Sequence, residues 1–443
     1  MSRAAIAGGA FVIALVFLLA LLAPGPASER DAEPAAATPS ATTSSTPAAA
    51  EPAEAHPGFI YGRITDVDGA TYEGRLRWGG DQEAFWGDYF NGARDGNPWA
   101  VHLPEERSRS PIEIFGIKIG DPPMNLGRQF MARFGDIARI EAQVRTAQVT
   151  LKSGSVFSLN RFAAGDIDDG VRVWDRRRGV VDVDAGNIRT IELLATAPIV
   201  AAPDRLHGTV RTRQGDFTGF IQWDGQDGVG ADRLDGRTAD GERTLTFDTI
   251  RSIARQSRDS ALVTLHDGRE IVLSDGREVG PGNRGIYVDE GRYGRVLVSW
   301  DAFERVEFSP RDSGPAYGNF EPGRPLAGVV TTRDGRRLAG RLVYDLDESE
   351  TTETLEAPWQ GVDYNIPFGM IATIVPPGRD GRGDQRARVT LVDGEELQLE
   401  RTGDFGERNA GMLIFVDGRE RPEYVPWTEI EQIDLERPSS GRR

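Results

Sequence analysis

The stretch AQVTLKSGSVFSL at residues 147–159 returns twice later in the chain, as ALVTLHDGREIVL at 261–273 and as ARVTLVDGEELQL at 387–399. In each copy valine and leucine alternate with other residues, a short turn containing glycine follows, and a second apolar run ends on leucine. Alternation with a period of two around such a turn is typical of a β-hairpin. Three copies without gaps predict a chain built from repeated β units.

A second hairpin pattern precedes each copy. It begins at Gly62, Gly208 and Gly328, and its second strand returns each time to glycine, one further residue, and then leucine or isoleucine. Both kinds of hairpin unit close with an apolar residue followed by apolar residues three and six positions later. This closing pattern begins at Phe134, Ala185, Phe247, Trp300, Phe368 and Trp427. A spacing of three predicts a single tight turn, which we expect to be 3₁₀, followed by a strand.

These patterns predict an all-β chain with three tandem modules at residues 58–198, 204–312 and 324–437, each made of two related small barrel-like halves. The order of elements within a half resembles the small β-barrels of the Sm-like and Src-homology-3-like kind, in which a short 3₁₀ turn precedes the final strand. The resemblance implies a fold alone, because the chain lacks the nucleic-acid-binding residues of the first family and the aromatic peptide groove of the second. The alternative is that the two halves of a module share one core.

Aromatic residues recur at matched positions of the modules. At the end of the second strand of the leading hairpin, the three modules have Trp78, Trp223 and Tyr344 at equivalent positions. Two of the closing patterns begin with tryptophan, at Trp300 and Trp427. We expect them to be core or half-buried strand residues, with stacking on a sugar as the alternative.

The two ends of the chain differ from the modules in composition. Residues 1–27 carry Arg3, then an apolar stretch, then small residues up to Ala27, which predicts a cleaved signal peptide or an uncleaved membrane anchor. Residues 28–57 are rich in Ala, Pro, Ser and Thr and predict a disordered linker, and 438–443 predict a disordered tail. We therefore expect an exported protein, periplasmic or at the cell surface, that meets the membrane only through its N-terminal segment.

Composition and charge exclude several classes of function. The 443 residues include 52 basic and 69 acidic residues, a formal net charge of −17, which argues against nucleic acid as a partner. The chain has no cysteine, which excludes disulfides, thiol nucleophiles and thiolate metal sites. Its four histidines lack metal-ligand spacing, and no hydrolase, nucleotide-binding or dinucleotide-binding motif is present. The sequence therefore assigns no catalytic residue, metal ligand or cofactor.

The first module carries an insertion near residues 87–131 that the other two lack. In or beside it lie four aromatic residues that we predict to form a binding surface, Phe85, Trp86, Tyr89 and Trp99. The alternative is that these rings only cover the insertion. Further along, Ile112 to Ile119 predicts an added strand that covers a sheet edge or pairs with a partner strand.

These features predict an exported, non-catalytic repeat protein that acts as a binding or scaffold module in the cell envelope. The expected partner is an envelope protein or a surface glycan, and no feature of the sequence specifies an oligomeric state. The alternative is an envelope hydrolase that uses a carboxylate pair, or a site around His102, on peptidoglycan or polysaccharide. A third hypothesis is a purely structural envelope protein with no discrete site.

Overall fold

The computed structural model describes residues 56–79, 81–103, 112–114, 117–120, 129–161, 165–198, 204–274, 276–310, 314–378 and 385–436. Within these ranges the chain is all-β, as predicted, with strands and short 3₁₀ turns and no α-helix. The described residues all belong to one compact unit, Pro52–Arg443. The predicted signal or anchor, nearly all of the predicted linker and the predicted tail lie outside the described residues.

In the part of the chain that the structure describes, no helix has the length and apolar character needed to cross a membrane.

The strands follow the repeats. The first module contains β1 (Tyr61–Asp66), β2 (Thr71–Trp78), β3 (Tyr89–Ala93), β4 (Ile112–Ile114), β5 (Ile117–Gly120), β6 (Gln129–Arg133), β7 (Ile137–Ala142), β8 (Thr146–Leu151), β9 (Val156–Asn160), β10 (Val171–Asp175), β11 (Gly179–Val183) and β12 (Ile188–Leu193). The second contains β13 (His207–Thr212), β14 (Gly215–Gln222), β15 (Arg233–Thr238), β16 (Gly241–Thr246), β17 (Ile250–Arg255), β18 (Ser260–Leu265), β19 (Glu270–Ser274), β20 (Ile286–Glu290), β21 (Gly294–Val298) and β22 (Phe303–Phe308). The third contains β23 (Ala327–Thr332), β24 (Arg337–Val343), β25 (Thr354–Trp359), β26 (Val362–Pro367), β27 (Ile371–Val375), β28 (Ala387–Leu391), β29 (Glu396–Leu399), β30 (Met412–Val416), β31 (Glu423–Val425) and β32 (Ile430–Leu435).

Short 3₁₀ turns occur along the described chain, and some of them form the closing patterns of the repeats. The described turns are Ala100–His102, Phe134–Asp136, Asp166–Asp168, Ala185–Asn187, Phe247–Thr249, Tyr317–Asn319, Phe368–Met370, Gly403–Phe405 and Trp427–Glu429. Five of the six closing patterns therefore begin a 3₁₀ turn followed by a strand. The sixth, at Trp300, begins an ordinary turn in which the Ala302 amide donates to the Ser299 carbonyl at 3.0 Å.

Each module is organised around one antiparallel sheet with the same strand order. The order is β11-β10-β2-β1-β12-β7-β8-β9 in the first module and β31-β30-β24-β23-β32-β27-β28-β29 in the third. The second module repeats this order, and β15 and β16 extend it beyond β19. At its other end β21 pairs with β26 of the third module, so one sheet runs continuously across the second and third modules.

The two halves of a module interlock in this sheet. In the second module the last strand, β22, lies between β13 and β17, which both belong to the first half. Val306 on β22 is therefore opposite Val210 on one side and Ile253 on the other. This arrangement favours the alternative of a shared core, because the closing strand of each half pairs across the module and no barrel closes among the described strands. The halves share one core.

The repeated glycines allow the strands to approach closely. A Cβ atom on Gly208 would lie 2.3 Å from the Glu307 carbonyl oxygen, and one on Gly219 would lie 2.0 Å from the Asp289 carbonyl oxygen. Real Cβ atoms essentially never show such distances. These positions therefore require glycine for backbone approach, not for a positive φ.

The matched aromatics are core residues, as expected. Trp78, Trp223 and Tyr344 are each at most 1% exposed. Each also donates one hydrogen bond to a backbone carbonyl in the loop of the second half, at Asp166, Glu278 and Asp404 in turn. Burial with a satisfied polar group is the usual state of a buried Trp or Tyr.

Candidate functional site

Phe85, Trp86 and Tyr89 lie at contacts between parts of the chain that are far apart in sequence. Phe85 is fully buried, with its ring centroid 4.9 Å from that of Tyr317 in the segment between the second and third modules. Tyr89 is 3% exposed, and the Arg295 guanidinium of the second module lies 5.2 Å from its ring centroid. Because both rings are buried, they present no face to solvent.

Trp86 is half-buried beside Phe85. Its ring lies 6.3 Å from that of Phe320, and the Arg133 guanidinium lies 4.9 Å from its centroid. Phe85, Trp86 and Tyr89 thus pack against the second module and the segment that follows it.

Trp99 has different neighbours from the other three rings. It is half-buried against the third module, with its ring centroid 5.8 Å from that of Phe415 and 5.1 Å from the Arg341 guanidinium. The four predicted rings therefore do not form one cluster. This corrects the expectation of a single presented ring surface, because tertiary contacts with the other modules divide the rings between two places.

The added strand predicted at residues 112–119 is a two-stranded hairpin, in which β4 pairs with β5. Elsewhere in the insertion, β3 pairs with β6. Because β4 and β5 are antiparallel neighbours, with Ile114 opposite Ile117, they are not one continuous strand.

A cleft of about 590 Å³ opens beside Trp99, where the first and third modules meet. Its lining includes the half-buried rings of Trp99 and Phe157, the exposed carboxylate of Asp95, and the serines Ser158 and Ser349. Flat rings beside a carboxylate and hydroxyl groups suit a polar ligand with an apolar face. Of the four predicted residues, Trp99 alone lines this cleft.

A buried ion-pair cluster holds one wall of the cleft. Arg94 is 8% exposed, and its guanidinium lies 2.8 Å from Asp347 and 2.5 Å from Glu353, both in the third module. Its guanidinium also lies 4.7 Å from the Phe157 ring centroid. Burial raises the pKa of Glu353, and the charge of Arg94 opposes that shift. The cleft is therefore supported by a contact that ties the first module to the third.

A second buried ion-pair cluster ties the first module to the second. The Arg295 guanidinium donates to Asp289 at 2.7 Å and to Asp88 of the first module at 3.4 Å. All three side chains are buried. Charged groups removed from water in this way require partners, so both clusters hold the modules in a fixed arrangement.

One carboxylate per module also organises the loop before the third strand. Asp88, Asp232 and Glu353 each accept hydrogen bonds from two successive backbone amides of that loop. Three equivalent loops with the same bonding explain part of the high acidic content as a structural requirement.

Two further carboxyls of the second module lie in a half-buried acidic group. Burial raises the pKa of Asp227 to about 7, and the charge of Glu278 adds to the shift. Burial also raises the pKa of Glu278 to about 7. Fully buried Asp224 contributes to both shifts. This group is one place where the structure brings protonatable carboxyls together; Asp81 of the first module, whose pKa burial also raises to about 7, lies in another.

The histidines are dispersed among the described residues. His102 is exposed and lies 5.6 Å from the Phe415 ring, while the His207 ring nitrogen Nδ1 lies 3.0 Å from the Ser309 hydroxyl. Within the described ranges, no group of three or more His, Asp or Glu side chains is placed to hold a metal ion.

No protein-family model matches the chain, and no curated protein or solved structure is significantly similar to it.

Two features of the site were not predicted from the sequence. Arg94 pairs with residues more than 250 positions away in the chain, at Asp347 and Glu353. No local pattern signals such a contact. The second feature is the loop carboxylates. Asp232 and Glu353 stand directly before the third strand of their modules, so an alignment of the repeats would have identified them as matched acidic positions.

Proposed function

We propose that this protein is an exported, non-catalytic binding scaffold of the cell envelope and that the cleft at Trp99 holds a surface glycan. Export through residues 1–27 is part of this proposal. Support for a scaffold comes from the continuous sheet across β21 and β26 and from the two buried ion-pair clusters, which fix the modules relative to one another.

The cleft at Trp99 is the observation that carries the proposal. A pyranose ring has apolar C–H faces and a rim of hydroxyl groups. The rings of Trp99 and Phe157 supply apolar surface, while Asp95, Ser158 and Ser349 supply acceptors and donors. The cleft volume, about 590 Å³, lies within the usual range for small-ligand sites.

The test is binding of soluble peptidoglycan fragments and cell-surface oligosaccharides to the full exported chain, measured by calorimetry. We expect Trp99→Ala to weaken binding by about tenfold or more. Trp174→Ala is the matched control, because Trp174 is also half-buried and stacks on Arg75 within the first module. Equal affinity of the two variants, or no glycan bound by the native chain, overturns the assignment of the cleft.

The second candidate is an envelope hydrolase that uses a carboxylate pair. The acidic group at Asp227 and Glu278 favours it, since a carboxyl with a pKa near 7 exchanges protons readily at neutral pH. Incubating the full chain with peptidoglycan and polysaccharides tests this candidate. Product release that Asp227→Asn and Glu278→Gln each abolish would establish the enzyme and remove the non-catalytic proposal.

A further inference from the structure

A connecting segment of the chain is seated in a groove of the first module. The segment contains the turn Tyr317–Asn319 and Phe320. The Tyr317 hydroxyl donates to the Ile137 carbonyl at 2.8 Å. Lys152 donates to the carbonyls of Tyr317 and Phe320, at 2.5 and 3.2 Å, and its ammonium lies 3.5 Å from the centroid of the Tyr317 ring. The groove thus recognises two aromatic side chains and two backbone carbonyls.

Backbone hydrogen bonds define the equivalent groove in the second module. The Gly135 amide donates to the Phe85 carbonyl in the first module, and the Asp248 amide donates to the Gly230 carbonyl in the second. Asp248 therefore occupies the position of Gly135.

The same comparison places a histidine where the first module has its lysine. The Lys152 amide donates to the Asp136 carbonyl, and the His266 amide donates to the Thr249 carbonyl. Ile137 and Ile250 also correspond, because each begins the strand after its 3₁₀ turn and pairs with a leucine, Leu151 or Leu265.

In the second module this groove is a cavity of about 570 Å³. Its apolar lining includes Phe247, Ile250 and Phe308. Its polar rim includes His266 and the exposed carboxylates of Asp204 and Asp248. Gly230 stands where the first module has Phe85, and Asp248 borders this position, since a Cβ on Gly230 would lie 3.2 Å from the Asp248 Cβ.

We propose that this groove binds a peptide segment of a partner protein that carries Tyr or Phe in a turn next to a basic residue. The aromatic side chain packs on Phe247 and Phe308 in the place that Tyr317 takes in the first module, whereas Asp248 stands where Gly135 makes room for the Phe320 ring. An N–H of the His266 ring donates to a peptide carbonyl, as Lys152 does. The carboxylates of Asp204 and Asp248 add negative charge at the rim, which favours a basic neighbour in the peptide.

This inference rests on the proposed binding role and names a second partner class for it. The peptide groove and the Trp99 cleft share no lining residue. Trp99→Ala is therefore expected to leave peptide binding unchanged, so loss of glycan binding and loss of peptide binding are separate outcomes.

The test uses the full chain and two fluorescent peptides. One has the sequence of residues 314–324, GPAYGNFEPGR, and the other carries Glu321→Arg in that sequence. We expect the arginine peptide to bind more tightly by severalfold, and His266→Ala to weaken its binding by about tenfold. The charge reversal Asp248→Lys should invert the preference, so that the glutamate peptide binds more tightly.

A peptide with both aromatic residues replaced by alanine is the matched control and should not bind. Binding that is indifferent to His266→Ala and to Asp248→Lys overturns the proposal, and so does the absence of saturation at about 1 mM peptide. Binding that is lost instead on Lys152→Ala would mean that the peptide displaces the native segment from the first module, and this outcome also overturns the proposal.

Discussion

A Cβ atom on Gly135 would lie 2.3 Å from the ring of Phe320, so the segment between the second and third modules rests directly on the first module. The same segment contacts Phe85 and Trp86. The first module therefore contacts the connection between the other two, in addition to its ion pairs with each of them. This contact explains why the aromatic residues of the insertion are buried inside the protein.

The first prediction concerns Gly135. We expect Gly135→Ala to lower the free energy of unfolding by about 1–3 kcal/mol, because the added methyl group forces the Phe320 ring to move. The measurement is urea unfolding followed by tryptophan fluorescence. Gly186→Ala is the control, since Gly186 is also the middle residue of a 3₁₀ turn and a Cβ there meets no atom within 4 Å. Equal effects of the two substitutions would contradict the packing of Phe320 on Gly135.

The second prediction concerns Arg94. Arg94→Met leaves Asp347 and Glu353 buried without this cation, so we expect a loss of about 3–5 kcal/mol in the free energy of unfolding. The control is Arg172→Met, which removes an exposed, solvent-screened pair with Asp182 and should have a much smaller effect. Both values come from urea titrations under the same conditions. A small effect at Arg94 would mean that the first and third modules do not meet as described.

The sequence predicted the repeats and the core better than it predicted the pairing between strands. Alternation and turn glycines identify hairpins locally, and the matched positions of Trp78 and Trp223 identify the core. The pairing of strands between the two halves cannot be predicted from local patterns in this way, because both halves end in the same apolar pattern. Val306 therefore fits a partner strand in either half, and its position between Val210 and Ile253 is visible only in the sheet.

The sequence named Trp99 as a candidate because of an excess of aromatic residues in the insertion, and the structure places Trp99 in the lining of the cleft. The sequence did not show that Phe85 and Tyr89 are buried, since their neighbours Tyr317 and Arg295 lie more than 200 residues away in the chain. Long-range packing decides which ring of an aromatic group stays accessible.

The third prediction concerns pH. The pKa of Asp227 is raised from 3.8 to about 7 in the folded protein, so the native state binds this proton more tightly than the unfolded chain does. The stabilisation from this group is complete below about pH 4 and is lost as the pH rises through about 7. Asp227→Asn, which stays neutral, should therefore match the native chain near pH 4 and exceed its stability at pH 8.

Urea midpoints at pH 4, 6 and 8 check this expectation, with Asp240→Asn at an exposed position as the control. A constant difference between Asp227→Asn and the native chain across these pH values would show that Asp227 does not titrate in this range. The direction of the change matters more than its size, because Asp227 is only partly buried and solvent screens its charge.

The last prediction concerns the shared sheet of the second module. Val306 is fully buried on β22 and lies between β13 and β17 of the other half, so Val306→Ala should cost about 2 kcal/mol and loosen strands of both halves. Hydrogen exchange measured by mass spectrometry on the full chain is the direct readout. We expect faster exchange in β13 and β17 as well as in β22. If the halves were separate barrels, faster exchange would be confined to the second half, at β18 to β22, and the interlocked sheet would be wrong.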